Sequence, residues 1–410
     1  MEALNILTDK QYGFREKHST YMALIELFDR ISGEIDDKNF SVGVFIDLSK
    51  AFDTINHKIL LDKLDLYDIR GVAHKWFSSY LSNRLQFVQL GSIKSHTLPI
   101  TCGVPQGSIL GPLLFIIYIN DIVNVSKIVT PLMFADDTNL FFSDKSITNL
   151  ENTVNTELDK INTWFKLNKL SLNLKKTNYI LFTPKCKSNL KALEIKIEDT
   201  LIGEVCSTKF LGVIINQTLT WNDHIRAVQQ KVNKNSGIIR KISKSLPQSV
   251  LVNLYHTLVE PYLTYCNIVW GINRTTILDK LFISQKKIIR IITLSKYNAH
   301  TKPLFAKLSV FTVYQLNDFQ VACFVYRCIH NILPNKFCVM FHANNLVHPY
   351  NTRNCLKLHT ESCRLSIRLS TVRFYGVKIW NSLSDNLCNC DSFILFKRKL
   401  KIFFIEGSSN

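Results

Sequence analysis

The chain has 410 residues, with 50 Lys and Arg against 32 Asp and Glu, which gives a formal net charge of +18. Apolar residues make up 46% of the sequence, enough to build a packed core, so general disorder is excluded. The charge is uneven, because residues 1–150 carry a net −3 and residues 151–410 a net +21. This asymmetry indicates that one part works on a polyanion that the other part holds.

The cysteines and the apolar runs indicate the compartment. Eleven cysteines are scattered without a Cys-x-x-Cys pair, which is unfavourable for disulfides and for zinc and predicts reduced thiols. The residues after Met1 show no signal-peptide pattern. The apolar run Ile109–Ile119 is too short to span a bilayer, which needs about 20 residues. We therefore expect a protein of the nucleus or cytoplasm with no membrane partner; Lys397–Lys401 is only a weak nuclear signal.

Apolar periodicity predicts interleaved helices and strands up to about residue 222. In chain order they are a helix over 18–35, a strand over Val42–Ile46, a helical pattern from Ala51 to Leu64, a helix over Ile109–Ile119, strands over Pro131–Ala135 and Thr138–Phe142, a helix over 147–170 and a strand over Tyr179–Thr183. Basic helices follow over 224–246 and 277–293, before a mixed tail to residue 410. Domain boundaries are expected near 222 and 300.

Three carboxylates stand at predicted strand ends. Asp47 follows the strand Val42–Ile46, and Asp136 and Asp137 occupy a tight hairpin tip. Taken singly, Asp47 is more readily interpreted as a helix N-cap and the Asp pair as an ordinary turn. If both strands share one sheet, the carboxylates converge, and like charges about 4 Å apart repel by roughly 4 kcal/mol at an effective dielectric of about 20. Paired magnesium ions would relieve that repulsion and support phosphoryl or nucleotidyl transfer.

A glycine-rich loop lies between the two acidic segments. It reads Cys102-Gly-Val-Pro-Gln-Gly-Ser108 and leads into the apolar helix. Its glycines permit close backbone approach to a ligand, Ser108 can cap the helix, and Gln106 offers both a donor and an acceptor. A plain Gly/Pro loop is an equally good interpretation of the segment by itself.

Six sequence blocks occur in a fixed order between Gln11 and Ile225. They are Gln11–Arg15 with Ser19-Thr20, Phe45–Asp53, Gly103–Ser108, Phe134–Asp137, Leu172–Thr177, and Phe210–Val213 with Trp221–Ile225. This series resembles the reverse transcriptase of non-LTR retrotransposons of the jockey-like or I-like kind. Later segments resemble the region that follows the polymerase in these elements: Gln285–Arg290, His348–Tyr350 with Thr352-Arg353, and Trp380-Asn381.

The resemblance implies an α+β right-hand polymerase. It places partial fingers and a palm, an antiparallel sheet with helices, at residues 1–222, an α-helical basic thumb at 223–300 and a mixed C-terminal region at 301–410. The implied activity is RNA-directed DNA polymerase, in which two magnesium ions assist transfer from a dNTP to the 3′-hydroxyl of a DNA primer on an RNA template. The oligomeric state stays open.

The resemblance also assigns roles residue by residue. Asp47, Asp136 and Asp137 match the palm carboxylates, with Asp47 and Asp136 as direct magnesium ligands and the Leu48 carbonyl as a further oxygen. Phe52 matches the bulky residue that disfavours a nucleotide 2′-hydroxyl, and Gln106 and Gly107 match the loop that meets the incoming nucleotide. Lys176 matches the lysine that protonates the leaving pyrophosphate. Leu211 and Gly212 match the hairpin that grips the primer. From the residues themselves, Phe52 could equally be a core aromatic, Lys176 part of a solvated pair, and Leu211-Gly212 an ordinary turn.

The basic helix over 224–246 fits a thumb that holds nucleic acid through phosphates, without reading sequence. Its candidate contacts are Arg226, Lys231, Lys234 and Lys241.

The chain also departs from the family pattern. No basic triphosphate-binding segment, endonuclease or zinc knuckle is recognisable, so we expect an N-terminally truncated piece of a longer reading frame. An alternative hypothesis is therefore a catalytically weak nucleic-acid-binding remnant. An RNA-dependent RNA polymerase is disfavoured by Phe52 and by the block series.

Overall fold

The structure, a computed structural model, describes residues 6–182, 193–347, 355 and 357–406. The block from His348 to Arg353 and the predicted strand end at Thr183 lie outside these residues. The chain divides into two compact units. The first comprises Met1–Ala23 and Lys38–Leu211, and the second comprises Leu24–Asp37 and Gly212–Asn410. Over the described part of the chain, no helix combines the length and apolarity needed to cross a bilayer.

The first unit mixes helices and short strands. Its helices are α1 (Thr20–Asp36, which continues into the second unit), α2 (His57–Leu66), α3 (Gly71–Leu81), α4 (Leu110–Tyr118), a 3-10 helix (Asn120–Asn124) and α5 (Ile147–Leu167). Its strands are β1 (Phe40–Ile46), β2 (Leu85–Gln86), β3 (Gln89–Leu90), β4 (Ile93–Lys94), β5 (Leu98–Pro99), β6 (Pro131–Phe134), β7 (Asp137–Asp144), β8 (Asn178–Phe182), β9 (Lys196–Ile197), β10 (Thr200–Leu201), β11 (Gly203–Glu204) and β12 (Ser207–Phe210).

A five-stranded sheet forms the centre of the first unit, in the order β11-β8-β1-β7-β6. β1 lies antiparallel between β7 and β8, and β6 is antiparallel to β7. The prediction of an antiparallel palm sheet with helices is confirmed; the two residues of β11 pair parallel to β8 at the edge. The register opposes Ile46 to Thr138, so that the residue after β1 comes beside the β6–β7 turn.

Burial explains why these residues form these elements. Ser41 to Ile46 are all buried in β1, which accounts for the unbroken apolar run, and α5 packs against β1 and β7. α4 is buried from Leu114 to Tyr118, which explains why this helix is short, uncharged and inside the protein.

One predicted boundary in the first unit is wrong. The helical pattern expected from Ala51 begins only at His57, because the Asn56 side chain accepts a hydrogen bond from Ile59 N at 3.1 Å and caps α2 there. The residues before it form a turn, in which Asp53 N donates to Lys50 O at 2.8 Å.

The second unit is almost entirely helical in its described residues. After β13 (Val213–Asn216) its helices are α6 (Asn222–Ile242), α7 (Gln248–Leu258), α8 (Glu260–Thr264), α9 (Asn267–Trp270), α10 (Thr276–Ile292), α11 (Lys302–Leu308), α12 (Val313–Ile329), α13 (Asn335–Cys338), α14 (Asn344–Val347), α15 (Ser366–Leu369), α16 (Val372–Asn381), α17 (Asp385–Cys388) and α18 (Phe393–Glu406). The two predicted basic helices are confirmed as α6 and α10, which pack on each other.

Buried polar side chains fix the helices of the second unit. Gln285 of α10 donates to Tyr255 Oη at 2.7 Å and to Phe311 O at 2.8 Å, and accepts from Val313 N at 2.9 Å. The C-terminal half of α1 is held by α15: Arg368 Nη1 lies 2.9 Å from Asp29 Oδ1 and 3.2 Å from Ser32 Oγ. The residues that follow the predicted thumb are therefore an integral part of this unit's packing.

Candidate active site

The first unit brings the three predicted carboxylates to one end of its sheet. Asp47 follows β1 directly, Asp136 lies with Ala135 in the turn between β6 and β7, and Asp137 is the first residue of β7, opposite Phe134. Since the register opposes Ile46 to Thr138, one further step along each strand brings Asp47 to Asp137. The N-cap interpretation of Asp47 is wrong, because no helix begins there: the chain instead pairs with residues 171–173, with Asn173 N donating to Asp47 O at 2.8 Å.

The electrostatics show that these carboxylates interact. Atoms packed around the Asp137 carboxyl raise its pKa to about 6, and the negative charges of Asp136 and Asp47 contribute to the rise, although the side chain still reaches solvent. The pKa of Asp136 is raised as well, first by burial and further by the charge of Asp47, against the lowering effect of a backbone hydrogen bond. A cation between the carboxylates would relieve this repulsion.

The site is not a ready-made metal cage. Within the described residues, no group of three His, Cys, Asp or Glu side chains is close enough together to hold a metal ion by itself. The donor set nevertheless fits magnesium, which takes only one or two carboxylates and completes its shell with water and substrate phosphates. The relief of repulsion on cation binding and the oxygen-only donors are the two observations that fit such an ion.

The Asp136-Asp137 turn is braced by the segment that begins at Gln11. The buried Gln11 side chain accepts hydrogen bonds through Oε1 from Gly13 N at 2.7 Å and from Ala135 N at 2.9 Å. Tyr12 N also donates to Met133 O at 2.8 Å, which pairs this segment with β6. A Cβ at Gly13 would lie 2.4 Å from Ala135 N, so only glycine fits. The bracing holds Ala135 at a positive φ of 55°.

Lys176 is positioned by the segment that pairs with Asp47. Ser49 N donates to Ser171 O at 2.8 Å, and the buried Thr177 accepts through Oγ1 from Asp47 N at 3.3 Å. Lys176 Nζ consequently lies 3.9 Å from Asp47 Oδ2 while most of the side chain remains in solvent. The solvated-pair interpretation is incomplete, since this ammonium group is held beside a carboxylate of the site.

Leu48 contributes its backbone. It forms an isolated bridge with Leu172, and the two hydrogen bonds of that bridge use Asp47 O and Ser49 N. The carbonyl oxygen of Leu48 is therefore not used in this pairing, as a metal-ligand role requires.

Phe52 is a supported aromatic at the rim of the core. Its ring stacks on Phe115 of α4 with centroids 4.5 Å apart and an interplanar angle of 26°, and meets Phe14 edge-on at 6.5 Å. Phe52 is thus in part a core aromatic, and its half-buried side chain leaves the predicted contact with a nucleotide sugar as a prediction.

The glycine-rich loop is tied to the turn that carries Phe52. Val104 N donates to Phe52 O at 3.0 Å, and Gln106 Nε2 donates to Asp53 Oδ1 at 2.9 Å. Gly103 has a φ of +85°, and a Cβ there would lie 2.8 Å from Asp53 O. Gly107, at a φ of +81°, has nothing within 4 Å of where a Cβ would lie, so its backbone is open to close approach.

Ser108 lies just before α4 and is not its N-cap, because the helix begins at Leu110 with Ile109 at the cap position. Ser108 Oγ accepts from Gly111 N at 2.9 Å and donates to Pro105 O at 2.7 Å.

The predicted nucleic-acid contacts lie elsewhere in the chain. Leu211 and Gly212, with φ of 47° and 78°, form the turn after β12. The four predicted basic contacts of α6 are exposed, namely Arg226, Lys231, Lys234 and Lys241. The apolar face of the helix is buried instead, including Ile225, Val228 and Val232. Two of the cations have local partners: Arg226 Nη1 is 3.4 Å from Asp223 Oδ1, and Lys231 Nζ lies over the Tyr262 ring.

Two residues that hold the backbone of this site have no role in the sequence-based prediction. Gln11 braces the acidic turn across 124 positions of sequence, and Thr177 holds the backbone of Asp47 across 130. Both lie inside the blocks that carry the family resemblance, which was the only sequence signal for them.

These features define a polymerase palm, and the sequence comparisons give the family. The family model "Reverse transcriptase (RNA-dependent DNA polymerase)" matches residues 1–215. The chain therefore belongs to the reverse transcriptase family.

Its relatives are non-LTR retrotransposon polymerases. The RNA-directed DNA polymerase from mobile element jockey of Drosophila melanogaster is 29% identical over 73% of this chain and 33% of its own length. The probable RNA-directed DNA polymerase from transposon BS, of the same organism, is 28% identical over 76% of this chain and 35% of its own length. The chain thus spans about a third of the curated relatives it matches.

Among solved structures, telomerase from Candida albicans superposes with a TM-score of 0.41 at 12% identity, covering 75% of this chain and 48% of that one. A likeness at that level carries no argument. The fold class rests on the sheet and on the family match.

Proposed function

We propose that this chain carries the nucleotidyl-transfer site of a retrotransposon reverse transcriptase. It would extend a DNA primer on an RNA template, using dNTPs. The observation that supports this most is the mutual electrostatic effect of Asp47, Asp136 and Asp137 at the end of an antiparallel sheet. The family match and the jockey-like relatives support the same activity.

Magnesium is the proposed cofactor, as two ions. Asp47, Asp136, Asp137 and the Leu48 carbonyl would hold them. When bound, the two ions would activate the primer 3′-hydroxyl and stabilise the charge that develops on the transferred phosphate. The raised pKa of Asp137, about 6, still leaves this carboxyl ionised at neutral pH and able to bind a cation.

Lys176 is the proposed general acid. Its ammonium group lies 3.9 Å from Asp47 Oδ2 and has freedom to reach a leaving group, because most of the side chain is in solvent. A positioned ammonium can hand a proton to the departing pyrophosphate oxygen, and general acid catalysis of this kind contributes about 10²- to 10⁴-fold.

Phe52, Gln106 and Gly107 would form the nucleotide pocket. The ring of Phe52 is fixed from behind by Phe115, so that it cannot yield to an extra 2′-hydroxyl without losing that stack. Gln106 is held by Asp53 and can exchange that bond for one to the nucleotide. Gly107 leaves room for its approach.

The second unit supplies the proposed thumb. Its helix α6 presents Arg226, Lys231, Lys234 and Lys241 to solvent, and phosphate contacts by such side chains hold a duplex without reading its sequence. Leu211 and Gly212 would contact the primer end. We also propose an intracellular location, since the ten cysteines that the structure describes are free thiols.

Primer extension tests the proposal. The chain is incubated with poly(rA)/oligo(dT), dTTP and magnesium, beside Asp136→Asn and the control Asp62→Asn, which changes an exposed aspartate on α2. We expect Asp136→Asn to lower the rate by about 1,000-fold, because one carboxylate of the metal set loses its charge, and Asp62→Asn to leave the rate unchanged.

Equal extension by the wild type and Asp136→Asn would contradict the catalytic assignment. A wild-type chain that binds the duplex without extending it would favour the nucleic-acid-binding remnant. Preferential incorporation of UTP over dTTP would instead point to an RNA polymerase.

A further inference from the structure

One segment of the first unit is not used by the proposed site. It comprises α3 and the paired short strands β2–β5, which we call the cationic ribbon (residues 69–100). β2 pairs with β5, and β3 pairs with β4 in a small hairpin. Every residue of these four strands is exposed, and within α3 only Leu81 is buried. Phe77 and Tyr80 of α3 pack partly against the core, but the packing of the unit does not explain the side chains of the four strands or Trp76.

The charge of the ribbon is of one sign. From Ile69 to Asn120 the sequence has no Asp or Glu, while the ribbon has Arg70, Lys75, Arg84 and Lys94. Residues 1–211 as a whole have 24 basic and 24 acidic side chains, so the residues outside the ribbon are acidic on balance. Arg70, at the start of the ribbon, pairs with Asp65 at 3.2 Å and with Asp68 at 3.3 Å, both just outside it. The charge that can attract a polyanion is therefore that of Lys75, Arg84 and Lys94.

Aromatic rings alternate with these cations. Trp76 and Tyr80 stack nearly parallel, at 5.6 Å and 9°, and the Arg84 guanidinium lies 5.3 Å from the Tyr80 ring centre. Lys94 Nζ lies 5.2 Å from the Phe87 ring centre. Trp76 and Phe87 are 52% and 49% exposed. Phe87 thus offers an exposed ring surface beside Lys94, and Trp76 offers one on top of the Tyr80 ring that Arg84 contacts.

We propose that the cationic ribbon binds single-stranded RNA. Unpaired bases stack on exposed aromatic rings, and neighbouring Lys and Arg side chains hold the phosphates, which is how proteins bind single strands without sequence preference. A paired strand would hide its base faces from Trp76 and Phe87. The ribbon rejoins the core at Cys102, which bridges to Asn56 immediately before the Gln106 loop.

The ribbon also exposes aliphatic side chains, among them Leu90 at 80%. A protein partner or a second copy of the chain would use these. The ribbon's own sequence contains no carboxylate, and its cations lie against aromatic rings. Both features favour a polyanion over a protein partner. As an extension of the proposed function, the RNA would be the template ahead of the primer, although binding by the ribbon can be measured without catalysis.

The test is the affinity of the full chain for a fluorescein-labelled 20-nucleotide oligo(U), from fluorescence anisotropy. Trp76→Leu/Phe87→Leu keeps the apolar surface and removes both rings. We expect about 10-fold weaker binding or more. Leu90→Ala, the matched control, removes an aliphatic side chain from the same ribbon and should bind as the wild type.

A second pair of variants measures the charge. Arg84→Gln/Lys94→Gln should flatten the slope of log affinity against log salt by about 1.4, since each phosphate contact on a single strand contributes about 0.7. Lys127→Gln, an exposed lysine outside the ribbon, should leave the slope unchanged.

Wild-type affinity of Trp76→Leu/Phe87→Leu for oligo(U) would overturn the proposal. So would self-association in sedimentation that Leu90→Ala abolishes while Trp76→Leu/Phe87→Leu binds RNA normally. Failure of the proposed function can be told apart from failure of this proposal. Asp136→Asn should bind oligo(U) like the wild type. A wild type that binds oligo(U) through the ribbon but extends no primer would refute catalysis only.

Discussion

The first and second units use charge in opposite ways. The first unit has 23 basic and 19 acidic side chains, whereas the second has 27 basic and 13 acidic ones, so most of the net charge lies in the second unit. In the first unit the charges that matter are few and close together, and burial, with the neighbouring negative charges, raises the pKa values of Asp136 and Asp137. On α6 of the second unit the positive charges are spread over an exposed helix face.

This difference predicts how substitutions in the two units should affect activity and affinity. A concentrated site loses most of its activity when one group is removed, because its members act together on one reacting centre. A distributed positive surface loses affinity in small steps that depend on salt, because each cation contacts one phosphate. The following predictions test this contrast, starting with the largest effect.

Asp47→Asn should lower the extension rate by about 1,000-fold, because the neutral side chain cannot hold a metal ion between it and the acidic turn. Its affinity for primer–template should stay within about twofold of wild type, since phosphate contacts supply most of that affinity. Single-turnover kinetics with a parallel binding titration would measure both quantities. A parallel loss of affinity would mean that the two units do not divide catalysis and binding as described.

Arg368→Ala should destabilise the second unit by about 1–3 kcal/mol, because Asp29 loses its partner at 2.9 Å and keeps only Arg373, whose Nε is 3.4 Å from Oδ2. Thermal and urea unfolding would measure the change. The matched control is Arg226→Ala, whose pair with Asp223 is exposed and should contribute less than about 0.5 kcal/mol. Equal effects of the two substitutions would show that burial does not decide the strength of these pairs.

His224 should make stability depend on acid pH. Burial, helped by the charge of Lys231, lowers its pKa from 6.5 to about 4, while its Nδ1 accepts from Ile214 N at 3.3 Å. The folded chain thus binds this proton more weakly than the unfolded chain, so the contribution is complete above pH 6.5 and is lost as the pH falls towards 4. The loss reaches about 3 kcal/mol at about 1.4 kcal/mol per unit.

The variant His224→Gln keeps an acceptor but does not titrate. Comparing its melting temperature with that of the wild type at several pH values between 7.5 and 4.5 isolates this residue from the other titrating groups. The difference between the two proteins should change over that interval, and a constant difference would rule out the buried neutral imidazole.

The smallest effect is expected on α6. Lys231→Gln/Lys234→Gln/Lys241→Gln should flatten the slope of log affinity against log salt by about 0.9 for each phosphate that is no longer neutralised, with little change in the extension rate at saturating primer–template. Arg290→Gln, a half-buried cation of α10 whose Nε donates to Ala299 O, serves as the comparison and should leave the slope unaltered. A salt slope identical to wild type in the triple variant would remove α6 from the proposed thumb.

Much of the fold could be predicted from local pattern. The continuous apolar run of β1, the hairpin signal at Asp136-Asp137 and the helical spacing of α5, α6 and α10 each report burial within a few residues of sequence. The start of α2 was misplaced because the apolar spacing of Ala51 to Leu64 continues through a turn that only the Asn56 cap reveals. The roles of the site residues came from resemblance to a family and not from spacing.

The sequence by itself determined which segments are strands and helices, that acidic residues end two of those strands, and that the positive charge lies in the second half of the chain. Only the tertiary structure decided that β1 lies between β7 and β8, that residues 171–177 bring Lys176 to Asp47, and that Gln11 braces Ala135. Burial of a side chain repeats with the local geometry of helix or strand and so leaves a pattern in sequence. A pairing between residues more than 100 positions apart leaves no such pattern, because many registers satisfy the same local preferences and only the packing of the whole unit selects one.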